Sequence, residues 1–138
     1  PIVPAMNNPQ ELEQIREFFA KDQFATDNGA TIEEVDDGYA KCSLDLQQLH
    51  MNATGTVMGG AIFTLADFAF AVASNWQGTI HVSRTSQVTY LGVAKGKRLI
   101  AEAHKVKEGF NTCYYLVEVN DELGTQVAQV MVDGFIKR

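Results

Sequence analysis

Cysteine is scarce in this chain of 138 residues: Cys42 and Cys113 stand 71 positions apart, and neither belongs to a CxxC or Cys/His cluster. Two buried structural thiols in a reducing compartment are therefore expected, rather than a disulfide framework or a reactive pair. Positive charge is also short. A net charge of −6 argues against sequence-blind nucleic-acid binding, which needs a basic face, and against docking on anionic membranes. The opening PIVPAMNNPQELEQIREFF lacks a basic start followed by an apolar core and a small-residue cleavage site, so a cytoplasmic protein is expected. His50, His81 and His104 show no metal-ligand spacing, and structural or surface roles are their default. No G-x-S-x-G occurs, so a Ser-His-Asp triad has no support. Repeats, linkers and low-complexity stretches are missing too.

What remains is an ordinary globular composition, 46% hydrophobic and 20% charged, in a length that suits one domain, residues 1–138. Asn8 and Pro9 look like a cap and a first-turn proline, predicting a helix to about Lys21. Its apolar face is Leu12, Ile15, Phe18 and Phe19. Residues 22–29 read as a loop with room for one helical turn. Strands are predicted over 30–35 and 38–46, joined at Asp36-Asp37-Gly38 as a hairpin. After a polar, glycine-bearing loop and an apolar helix, further strands are expected over 82–91, 98–107, 111–120 and 125–136. Short turns make these an antiparallel meander. The order suggests an α+β architecture, one antiparallel sheet curled round a single apolar helix with an extra N-terminal helix. Such a sheet has edges to cover, so at least a dimer is expected.

The apolar helix, GGAIFTLADFAFAVASNW over residues 59–76, carries one ionisable side chain, Asp67. It is 18 residues long, about 27 Å as a helix and just short of a bilayer core. Asp67 and the lack of a basic flank count against a membrane span. A helix wrapped by the rest of the fold explains the apolarity. Burying a carboxylate there is unfavourable unless it is paired or used. Gly59 and Gly60 open the helix, where free N–H groups and the positive end of the dipole can hold a carbonyl oxygen as it gains charge. Gly59 and Asp67 are taken to share nearly one helix face, about 10 Å apart along the axis, too far for one reacting carbonyl group to touch both. An antiparallel pair of such helices across a dimer would bring Asp67 of one copy to Gly59 of the other.

The run from Asn52 to Asp67, NATGTVMGGAIFTLAD, resembles the PaaI-like (phenylacetic acid degradation) group of hotdog-fold acyl-CoA thioesterases, whose motif is approximately N-x-x-G-x-x-H-G-G-x-x-x-x-L-x-D. Asn52, Gly55, Met58, Gly59, Gly60, Leu65 and Asp67 stand at its positions. The likeness continues through HVSRTSQVTYLGVAKGKRLIAEA and the closing strands, so residues 30–138 would be the hotdog core and 1–29 an added helix and loop. The resemblance implies hydrolysis of an acyl-CoA to a free acid and coenzyme A, with no cofactor beyond the coenzyme A of the substrate. It implies a homodimer or homotetramer with interface active sites. Asp67 looks like the catalytic carboxylate, as general base on water or as nucleophile, and Gly59 like the residue whose N–H polarises the thioester carbonyl. Asn52 resembles the asparagine that positions the water or the carbonyl. Ser83, seven residues before Tyr90, matches a water-orienting Ser or Thr. Gly60 and Met58 would border the substrate.

Met58 departs from the motif's histidine. A thioether neither donates a proton nor binds developing charge, but a carboxylate and a backbone N–H suffice, and a thiolate leaving group needs little protonation. Met58 is read as a tuning change; the alternative is a catalytically silent acyl-CoA-binding or regulatory module. Lys95-Gly96-Lys97-Arg98 is a positive island in an acidic chain, read as a solvated hairpin turn or as a patch for the phosphates of coenzyme A. Lys97 and Arg98, helped by Arg84, would hold those phosphates. Phe63, Phe68, Phe70 and Trp76 are core candidates, one or two of them available to line an acyl pocket.

Overall fold

The computed structural model describes residues 9–138, with side chains from residue 11 onward. Helix α1 (Pro9–Phe19) is two residues shorter than its pattern suggested, and the expected Asn8 cap lies outside the described residues. Ile15 and Phe19 are buried and Leu12 packs at the edge of the core, whereas Phe18 faces outward, the Lys21 ammonium 5.0 Å from its ring centre. The loop that follows contains one helical turn, α2 (Gln23–Thr26). Strands β1 (Ala30–Asp36) and β2 (Tyr39–Asp45) form the expected hairpin, with Gly38 at φ 65° in the left-handed region that its tight turn requires. Then come α3 (Gly59–Asn75), β3 (Ile80–Tyr90), β4 (Arg98–Glu108), β5 (Thr112–Asp121) and β6 (Gln126–Lys137).

The six strands form one antiparallel sheet in the order β1-β2-β4-β5-β6-β3. The meander therefore runs only through β4, β5 and β6. Strand β3 does not pair with β4; it crosses to the far edge and pairs with β6 from Ile80↔Lys137 to Tyr90↔Ala128. Within that ladder the register slips at Arg84, with Ser83 opposite Gly134 and Thr85 opposite Asp133, a β-bulge. Segment 91–97 is thus a crossover rather than a hairpin turn.

One face of the sheet supplies alternating buried residues: Ala40, Cys42 and Leu44 on β2, Cys113, Tyr115, Val117 and Val119 on β5, Val130 and Val132 on β6. These meet Leu65, Phe68, Phe70 and Val72 of α3, and Phe70 stacks edge-on against Tyr115 with ring centres 5.2 Å apart. Trp76 is fully buried and its indole N–H donates to the Asp36 carbonyl at 2.9 Å, tying the end of α3 to the β1–β2 turn. Both thiols are buried and free. The sheet wraps α3 on one side only. Gly60, Thr64, Asp67 and Ala71, spaced at three and four residues, form a half-open stripe that α2 partly roofs. Among the described residues no helix is long and apolar enough to cross a membrane.

Candidate active site

The loop ahead of α3 is closed on itself. Met51 and Val57 form an isolated antiparallel bridge, and Asn52 N–H donates to the Thr56 carbonyl at 2.7 Å. The Asn52 side chain organises the same loop: its Oδ1 accepts from Thr54 N–H, Thr54 Oγ1 and Thr56 N–H at 2.9–3.1 Å. Its Nδ2 donates to Thr56 Oγ1 at 2.9 Å. This is an Asx-type turn, and in this protomer the amide is committed to it. His50 is buried behind the loop. Gln47 N–H donates to its Nδ1 at 3.0 Å, so the ring proton sits on Nε2, which donates to the Asn28 carbonyl at 2.6 Å. His50 is thereby a structural strut. His81, also buried, lies between the Thr79 carbonyl (2.9 Å) and the Glu108 carboxylate (3.0 Å), and His104 packs on the Tyr39 ring. Among the described residues no group of three or more potential ligands could hold a metal ion.

Met58 is the extended residue before α3; its carbonyl accepts from Ala61 and Ile62 N–H, while its side chain is about half exposed. Gly59 and Gly60, as first-turn residues, have no intrahelical acceptor for their N–H groups. The two glycines have different neighbours. A Cβ on Gly59 would sit 2.8 Å from the Tyr90 hydroxyl oxygen, which donates its proton to the Gly59 carbonyl at 3.0 Å. A Cβ on Gly60 would meet nothing nearer than Met58 Cγ at 3.9 Å. A side chain at 59 would push the Tyr90 hydroxyl off the Gly59 carbonyl, whereas one at 60 would displace nothing.

The helix geometry corrects one expectation. Eight residues separate Gly59 from Asp67, which puts them about 12 Å apart along the axis and roughly 80° apart around it. Gly60, seven residues away, is the one within about 20° of the Asp67 direction. The surface follows this division. Gly59 lies in a depression of about 250 Å³ with Tyr90 and Val93, on the β3 side. Gly60 lies in an apolar trough of about 380 Å³ with Phe24, Leu49, Met58 and Phe63. That trough shares Phe24, Ala25, Phe63 and Thr64 with the next cleft, about 440 Å³, which holds Asp67 and Asp22. Phe63 is accordingly a wall of the groove, Phe68 is buried with one side on the Asp67 cleft, and Phe70 and Trp76 are core.

Asp67 is half-buried, and among the described residues its carboxylate has no hydrogen-bond partner. Burial pushes its pKa above the ordinary carboxylate value, and the negative charge of Asp22 pushes it further the same way. A carboxylate held above its ordinary range, in a cleft that adjoins an apolar trough, is what a base or nucleophile needs. Ser83 is exposed on β3, opposite Gly134, and does not meet Asp67 in this protomer.

The positive residues do not gather. Arg84 grips Asp133 through Nη2 at 3.0 and 3.2 Å, while Arg98 Nε donates to Asp45 at 2.8 Å. Arg84 is near the middle of β3, about 20 Å along the strand from Tyr90, which adjoins the crossover that carries Lys97, so Arg84 lies well away from that crossover. The crossover itself is moulded by two carboxylates. Asp121, only 2% exposed, accepts four backbone N–H groups, from Lys95, Gly96, Leu123 and Thr125, at 2.8–3.0 Å. Glu122 accepts from Lys97 and Arg98 N–H, and a Cβ on Gly96 would collide with the Glu122 carboxylate. The Lys97 side chain is left exposed. The single helical turn expected within residues 22–29 is α2, but the Asp22 it places across from Asp67 was not among the expected site residues.

Known proteins share this architecture. A family model described as a domain of unknown function (DUF4442) matches residues 18–135. A "Putative esterase" of Archaeoglobus fulgidus is 36% identical over 121 residues, covering 86% of this chain and 79% of that protein. The "Acyl-coenzyme A thioesterase PaaI" of Escherichia coli K12 is 31% identical over 113 residues, covering 80% of each chain. The solved structure of the E. coli PaaI protein superposes with a TM-score of 0.83 over 88% of this chain and 89% of that one. With the six-stranded sheet, the long helix against it and the motif at the start of that helix, these matches place the chain in the PaaI-like family of hotdog-fold acyl-CoA thioesterases.

Proposed function

We propose that this chain hydrolyses acyl-CoA thioesters to a carboxylic acid and coenzyme A. Asp67 acts as general base on water or as nucleophile, and the Gly59 N–H polarises the thioester carbonyl. The observation that carries the reading is Asp67 itself: a half-buried carboxylate with no hydrogen-bond partner among the described residues, in a cleft that adjoins an apolar trough. Removing water from the carboxylate strengthens it as a base, and the neighbouring trough of Phe24, Leu49, Met58 and Phe63 offers apolar surface for an acyl group.

One protomer does not present Gly59 and Asp67 to the same substrate, since they open on different sides of α3. The site is completed by a second copy, whose Gly59 N–H approaches the first copy's Asp67. Strand β3 supports this: it is an edge strand eleven residues long, with one side free to pair. Asn52 shapes the loop that presents Gly59, and Ser83 orients water from β3. Lys97, exposed at the crossover, is the side chain best placed to meet a phosphate of coenzyme A, because Arg84 and Arg98 are already paired with acids.

A panel of acyl-CoAs assayed by release of free thiol tests the reading. Turnover by the wild type, reduced about 10²- to 10⁴-fold in Asp67→Ala, is the expected result. Activity that survives the substitution unchanged would overturn the mechanism. Tight binding of acyl-CoA without turnover would instead favour a silent binding module.

A further inference from the structure

The roof of the Asp67 cleft comes from α2, and the residue that opens α2 is a second acid. Asp22 occupies the N-cap position, yet its side chain makes no capping hydrogen bond. An aspartate there ordinarily bonds the N–H of the second or third helical residue. Here the backbone does the fixing instead. The Asp22 carbonyl accepts from Ala25 N–H at 3.1 Å, Thr26 N–H at 3.0 Å and Thr26 Oγ1 at 3.2 Å. The carboxylate is left over, and it lines the same cleft as Asp67.

The other residues of that cleft carry no charge: Gln23, Phe24 and Ala25 from α2, and Phe63, Thr64, Phe68 and Ala71 from α3. The cations of α1 and of the link to α2 are engaged elsewhere. Arg16 donates through Nε and Nη2 to the Ile32 carbonyl, at 2.9 and 2.7 Å, with Glu13 beside it, and Lys21 lies over Phe18. Among the described residues Asp67 therefore faces one charged group, and that group has its own sign. We propose that Asp22 is a positioning residue of this site, whose negative charge across the cleft sets the reactivity of Asp67, a role that rests on the hydrolase reading above. Like charge disfavours ionisation of a neighbour, so Asp22 makes Asp67 a stronger base once ionised. The upward push on Asp67 from Asp22, after that from burial, agrees with this. Asp22 stands at the solvent rim, so its influence is open to screening by salt.

Asp22→Asn removes the charge and keeps a good N-cap residue; Asp22→Ser does the same and serves as a second variant should the first fold poorly. Two measurements are made on the full chain: the titration of the Asp67 carboxyl carbon by NMR, and the pH dependence of kcat/KM. Both variants are expected to shift the Asp67 titration and the acid limb of the profile to lower pH by about half a unit at low salt, the scale of one screened like charge. The plateau rate falls less than about threefold, as a weaker base predicts. The shift shrinks in 1 M salt, and Asp22→Glu restores the wild-type profile. Titration curves that superpose on the wild type at low salt would overturn the proposal. Absence of turnover in the wild type would sink the hydrolase reading alone, since the NMR titration still reports on the pair.

Discussion

Two acids of this molecule, Asp121 and Asp67, are both drawn in from water and behave in opposite ways. Asp121 is surrounded by four backbone N–H donors; burial opposes its ionisation, but the hydrogen bonds from Gly96, Lys95 and Thr125 outweigh it and hold the carboxyl below its ordinary range. Asp67 has burial and a like charge with no donor among the described residues, and is held above that range. The difference separates a carboxylate that organises backbone from one kept available for chemistry. Burial alone does not distinguish them. The count of donors does.

The largest expected effect on that contrast comes from exchanging the two losses. Asp67→Asn should abolish turnover to the extent given above while leaving the melting temperature unchanged or higher. Asp121→Asn should lower the melting temperature and leave the folded fraction active. Their pH dependence has opposite sign. For Asp121 the folded pKa lies below the unfolded value near 3.9, so its stabilisation is full above about pH 4 and fades only as pH falls further. For Asp67 the folded pKa lies above the unfolded one. Between the two values the folded state binds more protons, so stability declines as pH rises, and the gain from Asp67→Asn appears at neutral pH and vanishes below about pH 4. Thermal melts at several pH values would expose any failure of this pattern.

A smaller effect separates the two glycines at the start of α3. Gly59→Ala should destabilise through its collision with Tyr90, and in a Tyr90→Ala background the penalty should largely disappear. Gly60→Ala should stabilise by about 0.5–1 kcal/mol, the usual gain of alanine over glycine in a helix, yet raise KM if substrate approaches that backbone. The smallest expected effect is at the crossover. Lys97→Glu should raise KM for an acyl-CoA a few-fold and leave a short phosphate-free thioester unaffected; equal effects on both would remove Lys97 from the binding surface.

Much of the architecture was legible because periodicity reports burial. The alternation in β2, β5 and β6, and the apolar run of α3, follow directly from one sheet face packed on one helix. Asp67 stood out for the same reason, as a charge in an apolar stretch. The position of β3 was not legible. Its inward residues are half exposed at a sheet edge, and nothing local in a strand states which distant strand it will pair with. The crossover read as a hairpin turn because Lys95-Gly96-Lys97 has turn composition; the carboxylates that shape it are two dozen residues further on. The Asp22–Asp67 relation was invisible for the same reason, being set by the docking of α2 on α3.

The extra residue at Arg84 also acts as a phase shifter. Seven residues separate Ser83 from Tyr90, and in an uninterrupted strand an odd spacing sends two side chains to opposite faces. Because the ladder skips Arg84, Ser83 and Tyr90 oppose Gly134 and Ala128, which belong to the same helix-facing row of β6. Tyr90 can bond Gly59 only on those terms. Deleting the extra residue would straighten the strand and keep both side chains on that row, at an even spacing of six. Flattening the bulge with the residue retained would instead turn one half of β3 inside out.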